Sequence, residues 1–404
     1  MHSGVTESKV TRMDLWEITH RSFIRSGDAG QRPPLVIVGS AFQDLTELFS
    51  KVAATAQNRS VLLIELPGHG TNEQSSGELS HDHFADLLAR FLTQIDVPKV
   101  IPVGLSYGAA AIAYAFAARH PEMVSAAIIS GSSLVASETL KGVVKTLNYF
   151  AEQDRLDAFL ATSVLHLVNP LTQLRPGSDQ PIGRALQGRF SNLSKNRAAL
   201  GRFEDHVNRA LWSRVSAHPA CSVLFLAGQQ DSFIRPHETL ALARQCPQGI
   251  FGVVHGTDHM AAIQEPALLA NILRAFAAGE DLAGIRGVDW LDPHHDALDP
   301  RMAERYDGAN EKVWIQTDDG RAYRGRLVNV NVHGCLIDSE ADISPNKNIG
   351  KPSQISIGRG ISTPAFLLSR DGGLRYYFLR TNVDSFWKFW TGIEARFGRD
   401  KKVA

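Results

Sequence analysis

The chain has 404 residues, 44% hydrophobic and 21% charged, which excludes a disordered or fibrous protein and allows more than one hydrophobic core. Lysine plus arginine equals aspartate plus glutamate, 42 each, so the molecule carries no net bias towards nucleic-acid polymers or anionic membranes. No apolar run reaches the roughly 18 residues of a membrane span, and the charged N-terminus lacks the apolar stretch of a signal peptide, so a cytoplasmic protein is expected.

Leu35–Val38 (LVIV) predicts a strand that enters a loop at Gly39. Val61–Glu65 predicts a second, running into Pro67-Gly68-His69-Gly70, and a helix follows near Asp82–Gln94. Val100–Val103 predicts a third strand, leading directly into a small-residue helix at Gly108–Arg119, and Ala126–Ile129 a fourth, before the turn Gly131-Ser132-Ser133. Short apolar strands alternating with helices predict an α/β fold, a mostly parallel sheet covered by helices. From about Leu134 to Ser216 helical periodicity takes over, for example at Leu140, Val143, Val144 and Leu147, as expected of a helical cap inserted between two strands. Strands resume at Val223–Ala227 and Gly252–Val254 with a helix, His237–Gln245, between them, and Pro266–Ala278 predicts a last helix.

Residues 279–300 are polar and punctuated by Pro and Gly, the composition of a linker. Beyond them the strand-like runs Val313–Gln316, Arg326–Val330, Cys335–Ile337 and Tyr376–Leu379 alternate with Gly turns and predict a small β-barrel. A terminal helix, Asp384–Phe397, places Phe386, Phe389, Trp390, Ile393 and Phe397 on one face, which should pack on that barrel. The expected organisation is therefore a domain over 1–278 with its cap at about 134–216, a linker over 279–300, and a second domain over 301–404. The second domain holds 17 basic and 12 acidic residues, net +5, which tolerates an anionic ligand. Cys221, Cys246 and Cys335 stand far apart without a CxxC pair or zinc spacing and read as structural thiols, so no metal or catalytic cofactor is expected.

Gly104-Leu105-Ser106-Tyr107-Gly108 is a G-x-S-x-G pentapeptide between a strand and a small-residue helix. That context marks Ser106 as a nucleophile on a strained turn, with helix N–H groups aimed at the reacting centre. A serine hydroxyl needs a base and an acid to orient that base, in the chain order Ser, Asp, His. Asp231 follows the strand Val223–Ala227 and His259 follows Gly252–Val254, which makes them the expected acid and base. His255 is the rival base, at the strand end, and reads rather as a structural or rim histidine. An oxyanion would take the N–H of Tyr107 and a second donor from Ser40 or Ala41, in the loop after the first strand.

Glu65-Leu66-Pro67-Gly68-His69-Gly70 is similar to the D-x-P-G-H-G turn of α/β-hydrolases, with Glu for the acid. Over about Leu35 to Phe276 the chain resembles, more narrowly, the bacterial 3-hydroxyacyl-ACP acyltransferases that make rhamnolipid precursors and the related thioesterases. The loop Val38-Gly39-Ser40-Ala41, which lacks the usual His-Gly, carries that resemblance together with the cap runs Phe190–Ser194 and Phe203–Asn208. It implies an α/β-hydrolase fold with a helical cap and acyl carrier protein or coenzyme A thioesters as substrates; His206 and Asn208 read as cap core or substrate contacts. Those enzymes carry Trp where Tyr107 stands and Asp-Glu-Tyr where Asp231-Ser232-Phe233 stands, departures that bear on substrate choice.

The C-terminal region resembles a PilZ domain, a bacterial receptor module for cyclic di-GMP. Arg301-Met302-Ala303-Glu304-Arg305 is similar to its R-x-x-x-R arm, and Asn329-Val330-Asn331-Val332-His333-Gly334 to its [D/N]-x-S-x-x-G turn with Asn331 in place of Ser. The resemblance implies a cyclic di-GMP site at Arg301, Arg305, Asn329, Asn331 and Gly334, where guanidinium forks can clasp phosphates and stack on guanine. The bland alternative is a degenerate barrel used for docking. The function expected is a serine acyl hydrolase or acyltransferase on (3-hydroxy)acyl thioesters under cyclic di-GMP control. A carboxylesterase on oxygen esters and an inactive hydrolase scaffold in cyclic di-GMP signalling are the alternatives.

Overall fold

The computed structural model describes residues 4–5, 9–13, 16–24, 32–39, 59–70, 72–74, 79–133, 135–173, 201, 205, 208–209, 217–299, 305–339, 351–358, 360–370, 372–397 and 402–403. In chain order the strands are β1 (Gly4–Val5), β2 (Lys9–Met13), β3 (Trp16–Ile24), β4 (Leu35–Val38), β5 (Val61–Glu65), β6 (Ile101–Leu105), β7 (Ala126–Ser130), β8 (Ser222–Gly228), β9 (Gly249–Val254) and β10 (Val288–Leu291). Then come β11 (Arg305–Asp307), β12 (Lys312–Gln316), β13 (Ala322–Val330), β14 (Gly334–Asp338), β15 (Ser353–Ile357), β16 (Ile361–Ser369), β17 (Leu374–Phe378) and β18 (Lys402–Val403). The longer helices are α1 (His81–Gln94), α2 (Tyr107–Arg119), α3 (Glu138–Glu152), α4 (Leu156–Leu165), α5 (Pro236–Ala243), α6 (Pro266–Ala278) and α7 (Val383–Phe397). The chain folds as two compact units, one of residues 1–135 and 197–300, the other of residues 136–196 and 301–404.

In the first unit the described strands form one sheet in the order β1-β3-β5-β4-β6-β7-β8-β9-β10, with β2 paired to β3. The strands from β5 through β9 run parallel, while β3 joins β5 and β10 joins β9 antiparallel. Every residue of β4, β5 and β6 is buried, as strands covered on both faces require. Their side chains alternate between two cores. Val36, Val38, Leu62 and Ile64 meet Phe84, Leu88 and Phe91 of α1 and Ile112 and Phe116 of α2, whereas Leu35, Ile37, Leu63 and Val103 meet Leu269, Ile272 and Leu273 of α6. Helix α1 starts where the Ser80 hydroxyl accepts the His83 N–H at 3.2 Å. Residues 288–291, which read from sequence as linker, instead form the edge strand β10, because Val288 and Trp290 pack over Gly252 of β9.

This unit also buries two imidazoles. His69 donates Nδ1–H to the Pro67 carbonyl at 3.0 Å and meets the Phe84 ring edge-on, and the Arg209 guanidinium lies over the same Phe84 ring, 4.7 Å from its centroid. Burial first, with the Arg209 charge adding to it, pushes His69 down to about 4 and His81 to about 3. In the unfolded chain both bind protons from about pH 6.5 downwards, so the unfolded state takes up protons that the folded state refuses. Their contribution is whole above pH 6.5 and is lost as the pH falls towards 4. Chemical denaturation is expected to show stability dropping by about 3 kcal/mol for each imidazole over that window, with a much flatter profile in a His69→Gln/His81→Gln chain.

In the second unit the described strands β12-β15-β16-β17-β14-β13 close into an antiparallel barrel of six, because β13 pairs back to β12; β11 and β18 extend it beyond β13. Alternation sets the wall: Val313 and Ile315 are buried while Lys312, Trp314 and Gln316 are exposed. Helix α7 buries Phe386, Phe389, Trp390, Ile393 and Phe397, the face expected from its periodicity. Helices α3 and α4, which chain order places in the hydrolase cap, pack within this same unit. Gly142 of α3 lies against the Phe366 ring of β16, where any Cβ would collide with it. The Tyr149 hydroxyl donates to Asp318 at 2.5 Å, and Val143, Val144, Leu147 and Phe150 of α3 are buried with Phe159, Leu160, Val164 and Leu165 of α4. Among the described residues no helix is long and apolar enough to cross a membrane.

Candidate active site

Strand β6 delivers Ser106 into a turn of φ 78° and ψ 158°, a left-handed backbone that a non-glycine residue holds only at a cost of about 1–3 kcal/mol. Helix α2 starts at the next residue, so Ser106 sits at its N-terminus. Gly104 permits the sharp junction, since a Cβ there would collide with the backbone of Ala109 and Ala110. The Ser106 Oγ lies 2.9 Å from Nε2 of His259. On the other side of the ring, Nδ1–H of His259 donates to Oδ2 of Asp231 at 2.8 Å. The second carboxylate oxygen, Oδ1, accepts the backbone N–H groups of Phe233 and Ile234, each at 2.9 Å. These bonds fix the carboxylate in orientation, and its bond to Nδ1–H selects the tautomer of His259 that leaves Nε2 free to accept.

The site is dry on the side of the base: the His259 side chain is 0% exposed and that of Asp231 1%. The Phe233 and His259 rings meet edge to face with centroids 4.8 Å apart, and Gly131 also lies against the imidazole, where a Cβ would crowd it. Tyr107 is buried, its hydroxyl bonded to Ser133, and burial pushes it up to about 12. The structure thus brings together Ser106, Asp231 and His259 with the Tyr107 backbone. His255 is held elsewhere, 2.8 Å from Asp289 on β10. Ser40 and Ala41, the second oxyanion candidates, lie outside the described residues, as do His206 and the run Phe190–Ser194. Gly131 and Ser133 went unrecognised in the sequence. Their one signal was the turn of small residues at the end of β7, the strand next to the nucleophile.

In the second unit Arg305 opens β11, which pairs antiparallel with β13 through Tyr306 with Val330 and Asp307 with Asn329. This register carries Arg305 alongside the Asn329–Gly334 turn, and its side chain is exposed. Asn331 closes the turn on itself: its Oδ1 accepts the N–H of His333 at 3.0 Å and of Gly334 at 2.9 Å. Arg301 lies outside the described residues.

A family model described as the alpha/beta hydrolase fold matches residues 33–266. The chain is 25% identical over 244 residues to the 2-hydroxymuconate semialdehyde hydrolase of Pseudomonas sp. (strain CF600), covering 57% of this chain and 80% of that protein. Among solved structures, MGS-M2, an alpha/beta hydrolase enzyme from a Medee basin deep-sea metagenome library, superposes with a TM-score of 0.58 at 16% identity, covering 69% of this chain and all of the other. Est816, an N-acyl homoserine lactone degrading enzyme, gives 0.52 at 19% identity over 66% of this chain and all of its own. With strand order, strained serine turn and family match in agreement, the chain belongs to the α/β-hydrolase fold family.

Proposed function

We propose that the chain is a serine-dependent acyl hydrolase or acyltransferase that acts on acyl thioesters, of the (3-hydroxy)acyl-carrier-protein or acyl-coenzyme A class, under the control of cyclic di-GMP bound by a PilZ-like barrel. The observation that carries the catalytic part is the continuous relay Ser106 Oγ, His259, Asp231 at 2.9 and 2.8 Å. In this reading His259 Nε2 takes the Ser106 proton as Oγ attacks the thioester carbonyl. The oxyanion forms at the Tyr107 N–H, at the positive end of α2. His259 then gives the proton to the departing thiol, and the acyl-serine passes its chain to water or to a hydroxyl acceptor, with the same imidazole as base. The apolar acyl-thioester class is supported by the resemblance of the strand, cap and acid-loop sequences. Regulation is supported by Arg305 and the Asn329–Gly334 turn lying side by side at one end of the paired strands β11 and β13, next to a closed barrel.

The test is a mass-spectrometric turnover assay of the full chain on a panel of acyl-coenzyme A, 3-hydroxyacyl-carrier-protein and nitrophenyl esters, with and without cyclic di-GMP. Free acid or acyl ester formed from thioesters, at a rate that the dinucleotide changes, is the expected result. Turnover confined to short oxygen esters would replace the thioester reading with a carboxylesterase. No turnover, and no labelling by a fluorophosphonate probe, would leave a scaffold. Loss of dinucleotide binding in an Arg301→Ala/Arg305→Ala chain is the matching expectation for the barrel.

A further inference from the structure

Resting on the proposed ligand site around Arg305 and the Asn329–Gly334 turn, we infer that Arg380 is a positioning residue that carries the state of this turn to the C-terminal end of helix α4. Arg380 follows β17 and is completely buried. Its Nη1 donates to the carbonyls of Leu165 at 3.0 Å and Val168 at 3.3 Å. These carbonyls belong to the last turn of α4 and the residues just past it, where helix partners run out and the dipole is negative, so a cation there both satisfies and stabilises them. Its Nη2 donates to Nδ1 of His333 at 2.8 Å, and His333 belongs to the turn itself. One guanidinium therefore joins the ligand turn to α4.

The surroundings make this junction a unit. The Tyr377 ring stacks near-parallel with His333, 12° at 6.4 Å, and packs at 5.4 Å against His166, the residue that caps α4. His166 is fully buried, and burial, the Arg380 charge and then His333 hold it well below the ordinary imidazole range, so it stays neutral beside the cation. A guanidinium fixed this way in a dry site cannot lose one partner gradually, since an unmet buried donor is costly. The turn offers the handle. Asn331 spends its Oδ1 on the N–H groups of His333 and Gly334, so a ligand that draws this side chain away loosens the backbone that presents His333 to Arg380. At the other end, α4 and its partner α3 are inserted in the chain between β7 and β8. Helix α3 begins shortly after the Gly131–Ser133 turn, whose first residue lies against His259.

The test uses the full chain and cyclic di-GMP itself, with calorimetry for binding, hydrogen exchange at amides 160–168, and turnover with and without ligand. In the native chain saturating ligand is expected to change exchange across 160–168 by about fivefold or more. An Arg380→Gln chain is expected to keep its affinity within about threefold of native while the ligand no longer alters exchange at 160–168 or turnover; Arg380→Lys, which keeps the charge but not the fork, is expected to respond only partly. A native chain that binds the ligand with exchange at 160–168 unchanged overturns the relay without any substitution, so a poorly folded variant cannot shield it. An Arg380→Gln chain with the full native response overturns it as well. Absence of binding to the native chain removes the ligand reading, and the relay with it, and calorimetry alone separates that outcome from the others.

Discussion

Replacing Ser106 by alanine is expected to lower kcat by about 10⁴-fold or more on every substrate that the native chain turns over. Without the hydroxyl there is nothing for His259 to deprotonate, and what survives is binding together with the Tyr107 N–H. The fold should be unaffected in its packing, because among the described residues the lost atom bonds to His259 alone. The strained backbone provides an internal check. Glycine takes φ 78° without penalty, so Ser106→Gly is expected to be as inactive as Ser106→Ala yet more stable than the native chain by about 1 kcal/mol in chemical denaturation. Turnover retained within tenfold in either variant would send the chemistry to another group.

Asp231→Asn is expected to lower kcat by about 10⁴-fold with little change in KM. The amide is nearly isosteric, and its oxygen can still accept the Phe233 and Ile234 N–H groups, so the turn persists. Its NH₂, however, faces Nδ1 of His259 where an acceptor is required. The ring then settles in the other tautomer, with Nε2–H pointing at Ser106 Oγ, and cannot take the proton. Fluorophosphonate labelling of Ser106 should slow in parallel with turnover while the melting temperature stays near native. A kcat within about tenfold of native would mean that Asp231 orients nothing essential.

Much of the first unit was legible because its strands are buried on both faces, and a short run such as LVIV or VLLIE has few other uses in a chain of this composition. Ser106, Asp231 and His259 were legible for a related reason: each follows a parallel strand, so chain order alone lines them up on the same sheet edge. Strands that carry charges or Pro hid themselves. β3 alternates apolar with polar residues, β16 contains Pro364, and β10 sits between Pro and Gly signals yet pairs along its whole length with β9. Periodicity marked α3 as amphipathic without naming the surface it covers; Phe366, which receives Gly142, lies more than two hundred residues away. Arg380 belongs to no motif. Its role comes from acceptors, the Leu165 and Val168 carbonyls and His333 among them, that only the folded chain collects.

Because residues 136–196 pack with residues 301–404, the polypeptide crosses from one unit to the other three times rather than once. The barrel is therefore not an appendage that a stop codon could remove. Ending the chain near residue 300 would strip α3 of the barrel strand on which its Gly142 packs, and uncover apolar surface that the full chain keeps from water. The two units are interlaced along the chain, so neither can be cut away as one continuous stretch of sequence without breaking the other.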